Sequence, residues 1–178
     1  MTQRIEFRHF SFKSRLPFLA GGVGVFLLAY SVGAQGVNLS EEEAADTVDE
    51  FTNRAEGIEE EGIFSNNAVV GLGMFIPALG AGLGIYSAFS TGLVFNAFAQ
   101  VSPAVSGMSP LSLLLTPFGM LELFAYGTGI SRSGILVMDL LKRTPWRQYV
   151  VITLVEIAVA VSALLIGAFV EAEFIRTL

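Results

Sequence analysis

Thr116-Pro117-Phe118-Gly119-Met120-Leu121-Glu122-Leu123-Phe124 lies inside the apolar run from Leu111 to Ile130. A run of about 20 apolar residues is long enough to cross a bilayer. Proline lacks a backbone donor, and its ring crowds the preceding helical turn. A carboxylate at mid-membrane costs about 3 kcal/mol or more unless it is neutral, paired or wetted. Both features are costly where no water satisfies freed backbone groups. Their coincidence predicts a helix broken near its middle and packed at the centre of a bundle, away from lipid.

Composition extends the same reading. The chain has 178 residues, 53% hydrophobic and 15% charged, with mean hydropathy +0.65. A soluble domain carries about 25% charged residues. Residues 147–170 lack the polar stripe at helical spacing that a soluble bundle helix needs. The fold class expected is all-α, a polytopic membrane protein. There is no cysteine, which excludes disulfides, iron–sulfur clusters and thiolate metal sites. The single histidine, His9, precedes the first span, so a His-based haem, copper or protease site has no ligands. Neither a phosphate loop nor HExxH is present, and Gly21-Gly22-Val23-Gly24 inside an apolar run reads as helix packing. No catalytic residue, cofactor, metal or nucleic-acid partner is expected.

Taken in order, residues 1–16 form a basic arm with Arg4, Arg8, Lys13 and Arg15. Residues 17–35 are the first span, too long for a signal-peptide core and followed by a poor cleavage site at Ala34-Gln35-Gly36. Residues 36–65 hold ten acids, from Glu41 to Glu61, against Arg54 alone. Ser40 and Glu43 fit a capping box, and Val48, Phe51, Ala55 and Ile58 recur at helical spacing. This predicts an acidic amphipathic helix on the outer rim, mostly a solvated face. Residues 66–141 form a glycine-rich core. In it Asn66 and Asn67 open a span as caps, Gly80/Gly84 and Gly127/Ser131 permit close helix approach, and Pro77 kinks the chain. Ser87 to Gly92 reads as a turn, Leu93 to Val101 as a short span or half-helix, Ser131 to Gly134 as the end of the broken span, and Ile135 to Leu141 as an interfacial helix. Residues 147–171 are the last span.

Eight of the ten basic residues lie in 1–15, at Arg132, or in 142–147. The positive-inside rule puts these segments in the cytoplasm and the acidic segment outside. An odd number of crossings must then separate residue 65 from residue 132. Three crossings give five transmembrane helices, N-terminus in and C-terminus out. One crossing with re-entrant pieces is the alternative.

Glu122 and Glu156 fall near mid-span on two helices. They either face one another and share a proton as a functional centre, or act as neutral structural carboxyls. No basic residue is expected deep in a span, which favours the second reading. Asn66, Asn67, Pro117, Gly119, Glu122 and Glu156 are the candidate functional core.

Three stretches carry a resemblance to a known family: Gly62-Ile63-Phe64-Ser65-Asn66-Asn67, Gly80 to Gly92, and Leu115 to Leu123 with its Pro-x-Gly-x-x-Glu pattern. Together with Gly167-Ala168-Phe169-Val170-Glu171, they resemble the stage II sporulation protein M family over roughly residues 60–175. Phe118 stands where that family usually has histidine, and Thr91-Gly92 where it has Asn-Gly. The resemblance implies a five-helix membrane protein that works through partners and supplies no reaction. The functional expectation is a non-enzymatic scaffold or subunit of a membrane complex. The acidic segment Glu41–Glu61 and the glycine-rich helices would be its contact surfaces toward lipid and other membrane proteins. A transporter with a path past Glu122 and Glu156, or an accessory subunit of a membrane redox enzyme, are the alternatives.

Overall fold

A computed structural model describes residues 12–56, 59–145 and 147–176; Arg4, Arg8 and His9 of the basic arm and Ile58 of the amphipathic pattern lie outside them. Among the described residues the chain is helical, with no strand. Its elements are α1 (Phe12–Gln35), α2 (Glu41–Ala55), α3 (Glu60–Gly73), α4 (Leu79–Val101), α5 (Leu111–Leu114), α6 (Pro117–Leu141) and α7 (Arg147–Arg176). Three of them, α1, α4 and α7, are long and apolar enough to cross a membrane. Large apolar side chains on α7 such as Leu154, Val159, Ile166 and Phe169 are exposed at 47–59%, as a lipid-facing surface requires.

The helix starts follow from local chemistry. Ser40 accepts from the Glu43 backbone N–H while the Glu43 carboxylate accepts from the Ser40 backbone, so α2 opens with the expected capping box. Pro117 does not break a helix. It occupies the first turn of α6, where its missing N–H costs nothing, and Thr116 caps the helix by accepting from the Gly119 N–H at 3.0 Å. The apolar run beginning at Leu111 is thus a short turn followed by a helix that continues to Leu141. Ser131 to Gly134 consequently lie inside α6 rather than at its end, and Ile135 to Leu141 are its last turns rather than a separate interfacial helix.

Two further expectations change. Ser87 to Gly92 form no turn, and Leu93–Val101 is no separate span: all belong to α4. The Thr91 hydroxyl donates to the Ser87 carbonyl at 2.9 Å, which keeps a small polar residue inside a helix. Gly92 lies against the Tyr30 carbonyl, and Gly33 against that of Phe89, so α1 and α4 touch backbone to backbone. Asn66 and Asn67 lie inside α3 and cap nothing; the residue preceding the helix is Glu59, which makes no side-chain cap.

Contacts fix the helix directions. Gly33 meets Phe89 and Leu93, and Asn96 reaches the Val37 carbonyl at 2.8 Å, so α1 and α4 run parallel. Arg176 pairs with Glu60, and Leu164 packs on Gly71, so α3 and α7 run antiparallel. The 14 residues of α3 rise about 21 Å and stop at a bend over Met74–Ala78. At that bend Met74 and Phe75 pack on Gly129, while the Ser133 hydroxyl donates to the Ile76 carbonyl at 2.8 Å. Gly129 is the midpoint of α6. The α3–α4 hairpin therefore turns around halfway along the bundle and goes back the way it came. Its tip holds Ala78 at φ 67°, a left-handed conformation that costs an L-residue about 1–2 kcal/mol.

One half of the bundle thus contains five helices around Tyr30, Met74, Tyr126 and Leu164, all at most 5% exposed. The other half is built by α1, α6 and α7. Among the described residues, α2 rests outside the five-helix half, with Ala44 fully buried and Phe51 edge-on to Phe98 at 5.7 Å.

Candidate functional site: two polar clusters in the bundle

A triad of charged side chains joins α1, α6 and α7. Glu156 on α7 receives Arg15 Nε on Oε1 at 2.6 Å and Arg15 Nη2 on Oε2 at 2.9 Å. It also receives Arg132 Nε on Oε2 at 2.7 Å, with Arg132 Nη2 2.6 Å from Oε1. The side chains are 17%, 16% and 5% exposed for Arg15, Glu156 and Arg132. Two planar guanidiniums thus fork onto one carboxylate, the geometry arginine makes best. Arg15 Nη2 further donates to the Ser131 hydroxyl at 2.9 Å and the Thr128 carbonyl at 3.3 Å. Arg15 Nη1 is buried without a hydrogen-bond partner. With two cations and one anion, the triad keeps one positive charge.

The sequence places no basic residue among the buried side chains of the bundle, yet the structure buries one here. Arg132 is 4% exposed in the middle of α6, and Arg15 enters from the start of α1. The signal was present but disguised. Arg132 sits in Ser131-Arg132-Ser133, which resembles a loop until the helix is seen to run through it.

A second cluster occupies the five-helix half. Asn67 Nδ2 donates to Glu122 Oε1 at 2.6 Å, joining α3 to α6, and Asn66 Nδ2 donates to Asn67 Oδ1 at 3.3 Å. Glu171 approaches from α7 closely enough to act electrostatically on Glu122. Phe118 is buried against Phe174 with ring centroids 5.9 Å apart. Asn66 and Asn67 on α3 therefore meet Glu122 on α6, the helix whose first turn holds Pro117 and Gly119, and Gly119 itself packs against Leu113, Leu114 and Thr116. Glu156 does not join this cluster. It pairs with Arg132, ten residues further along α6 than Glu122, or about 15 Å of helix rise. The two glutamates share no proton.

The asparagine pair of α3 and the Pro-x-Gly-x-x-Glu segment that opens α6 thus meet through the Asn67–Glu122 hydrogen bond. Comparison with protein-family models, with curated proteins and with solved structures finds no match to this chain.

Outside the bundle, Glu43 is held below the ordinary carboxylate range by the backbone N–H and hydroxyl of Ser40. Glu41, Glu42, Asp46, Asp49 and Glu50 are exposed beside it. Arg54 answers Glu50 one turn away, leaving the face strongly negative.

Proposed function

We propose that the protein is a non-enzymatic, multi-pass membrane scaffold or subunit of a larger membrane complex, in the cell membrane. In this reading α1, α7 and the 25-residue α6 cross the bilayer, while α4, although long and apolar enough to cross, forms with α3 a hairpin that enters from the extracytoplasmic side and returns to it. The N-terminus and the α6–α7 turn, with Lys142, Arg143 and Arg147, face the cytoplasm; α2 and the C-terminus face out. The half-depth tip at Met74–Ala78 supports this arrangement over five full crossings. It also agrees with the positive-inside rule, since one crossing separates residue 65 from Arg132.

The observation that carries the scaffold reading is the Arg15–Glu156–Arg132 triad. It ties the three crossing helices together with charge-assisted bonds, as suits a fixed anchor. A transport path past Glu122 and Glu156 would need the two carboxylates on one route, and they belong to separate clusters. What remains for an outside partner is the acidic face of α2, seated on the bundle by Ala44 and Phe51. The family resemblance, which implies work through partners, supports the same reading.

The test is native mass spectrometry after gentle detergent extraction from the native membrane. The expected result is the chain in a larger assembly, lost when Glu42, Asp46 and Asp49 are changed to Lys and kept in Glu122→Gln. A lone monomer at near-native abundance refutes it.

A further inference from the structure

Between α1, α6 and the start of α7 lies a cavity of about 190 Å³, walled by Arg15, Phe18, Arg132, Met138, Lys142 and Tyr149. Ser14, Thr144 and Gln148 contribute polar groups to it, and Asp139 one carboxylate. Three cations therefore line the space. Against them stand Asp139 and the Glu156 carboxylate already shared by both guanidiniums, so the site keeps one net positive charge. Arg15 Nη1 has no partner among the described residues, although it is buried. A charge of this kind near hydrocarbon calls for an anion.

We propose that this cavity seats the phosphate of an anionic phospholipid from the cytoplasmic leaflet. The proposal rests on the membrane orientation given above, which puts Lys142 and the α6–α7 turn at the cytoplasmic surface. Arginine and lysine are the side chains that hold phosphate, and basic pockets between helices on that side suit lipid head groups. The walls are mixed in the way a lipid demands: Phe18, Ile135 and Met138 are apolar, and the cations lie beside them. A second cavity of about 260 Å³ adjoins it, sharing Tyr149 and otherwise lined by Pro77, Leu136, Leu140, Val150, Leu154 and one polar residue, Thr153. This apolar notch lies beneath the hairpin tip, in the half of the bundle that has only three helices. It offers an acyl chain a place next to the phosphate, which a free inorganic anion would not use. Tyr149 stands between the two, an amphipathic ring of the kind found at membrane interfaces.

The experiment uses the purified full chain in detergent, with phosphatidylglycerol and phosphatidylcholine as separate probes, read by native mass spectrometry. One phosphatidylglycerol is expected to bind about tenfold tighter than phosphatidylcholine, since more than one cation faces its phosphate. Lys142→Gln should weaken it about fivefold, and Met138→Trp, which fills the cavity, should erase the preference. Excess inorganic phosphate should not displace the lipid. Equal binding of the two lipids, or a preference unchanged in Lys142→Gln, overturns the proposal. So does displacement by inorganic phosphate, which would make the occupant a free anion. Labelling of Arg143→Cys from the extracytoplasmic side would instead overturn the orientation, independently of any lipid result.

Discussion

Replacing Glu156 with glutamine should be the most damaging single-atom exchange in this chain. The carboxylate takes four charge-assisted contacts of 2.6–2.9 Å from Arg15 and Arg132. Glutamine offers one acceptor oxygen and turns an NH2 group toward a guanidinium. Arg15 keeps Ser131 and Thr128 as partners, whereas Arg132, 5% exposed at its side chain, keeps a charge with little solvent around it. Removing one partner of a buried ion pair costs about 3–5 kcal/mol. At about 1.4 kcal/mol per decade, the unfolding equilibrium should shift by roughly two to three and a half powers of ten. Reversible unfolding in mixed micelles, followed by circular dichroism, measures it. Glu122→Gln is the internal control. Glutamine can still accept from Asn67 Nδ2, so that variant should lose about 1 kcal/mol or less. If Glu156→Gln unfolds within about 0.5 kcal/mol of the wild type, or if Glu122→Gln costs more, the triad is not what holds α1, α6 and α7 together.

Three other outcomes follow from particular contacts. Ala78→Gly should raise stability by about 1 kcal/mol in the same assay, because glycine tolerates the left-handed backbone at the hairpin tip. Gly92→Val should cost about 1–3 kcal/mol by pushing α1 away from α4, since the added Cβ meets the Tyr30 carbonyl. The capping box predicts a pH dependence for α2. The Glu43 pKa is lowered in the folded helix, so its contribution is present above the unfolded carboxylate value near 4.5 and fades as pH falls through the folded one. Hydrogen exchange at the first turn of α2 should accelerate in that acid window, and Glu43→Gln should remove the dependence.

Much of this architecture was legible in the residues. The first and last spans, the acidic helix and its capping box all follow from hydropathy and local hydrogen-bond chemistry. The Gly80/Gly84 pair does pack closely, against Met74 with Ser133 and against Ile130. What misled was residue type read without its partner. Pro117 looks like a break, yet proline is equally at home in a first helical turn, and only Thr116 bonding Gly119 decides between the two. Ser87, Thr91 and Gly92 look like a turn, but in α4 they are a back-bonded hydroxyl and its neighbours on a helix contact. Arg132 was hidden for the same reason. Glu156 could not be assigned a partner because Arg15 lies 141 residues away in sequence, a distance across which periodicity carries no information.

The arrangement of α3 and α4 is the point on which the account stands, and substituted-cysteine labelling in sealed vesicles tests it most directly, since the chain has no cysteine of its own. Thr91→Cys should resist a membrane-impermeant maleimide offered from the cytoplasmic side, while Arg143→Cys reacts there readily. Cytoplasmic labelling of Thr91→Cys would mean that the chain crosses completely before residue 91, and the half-depth hairpin would be wrong.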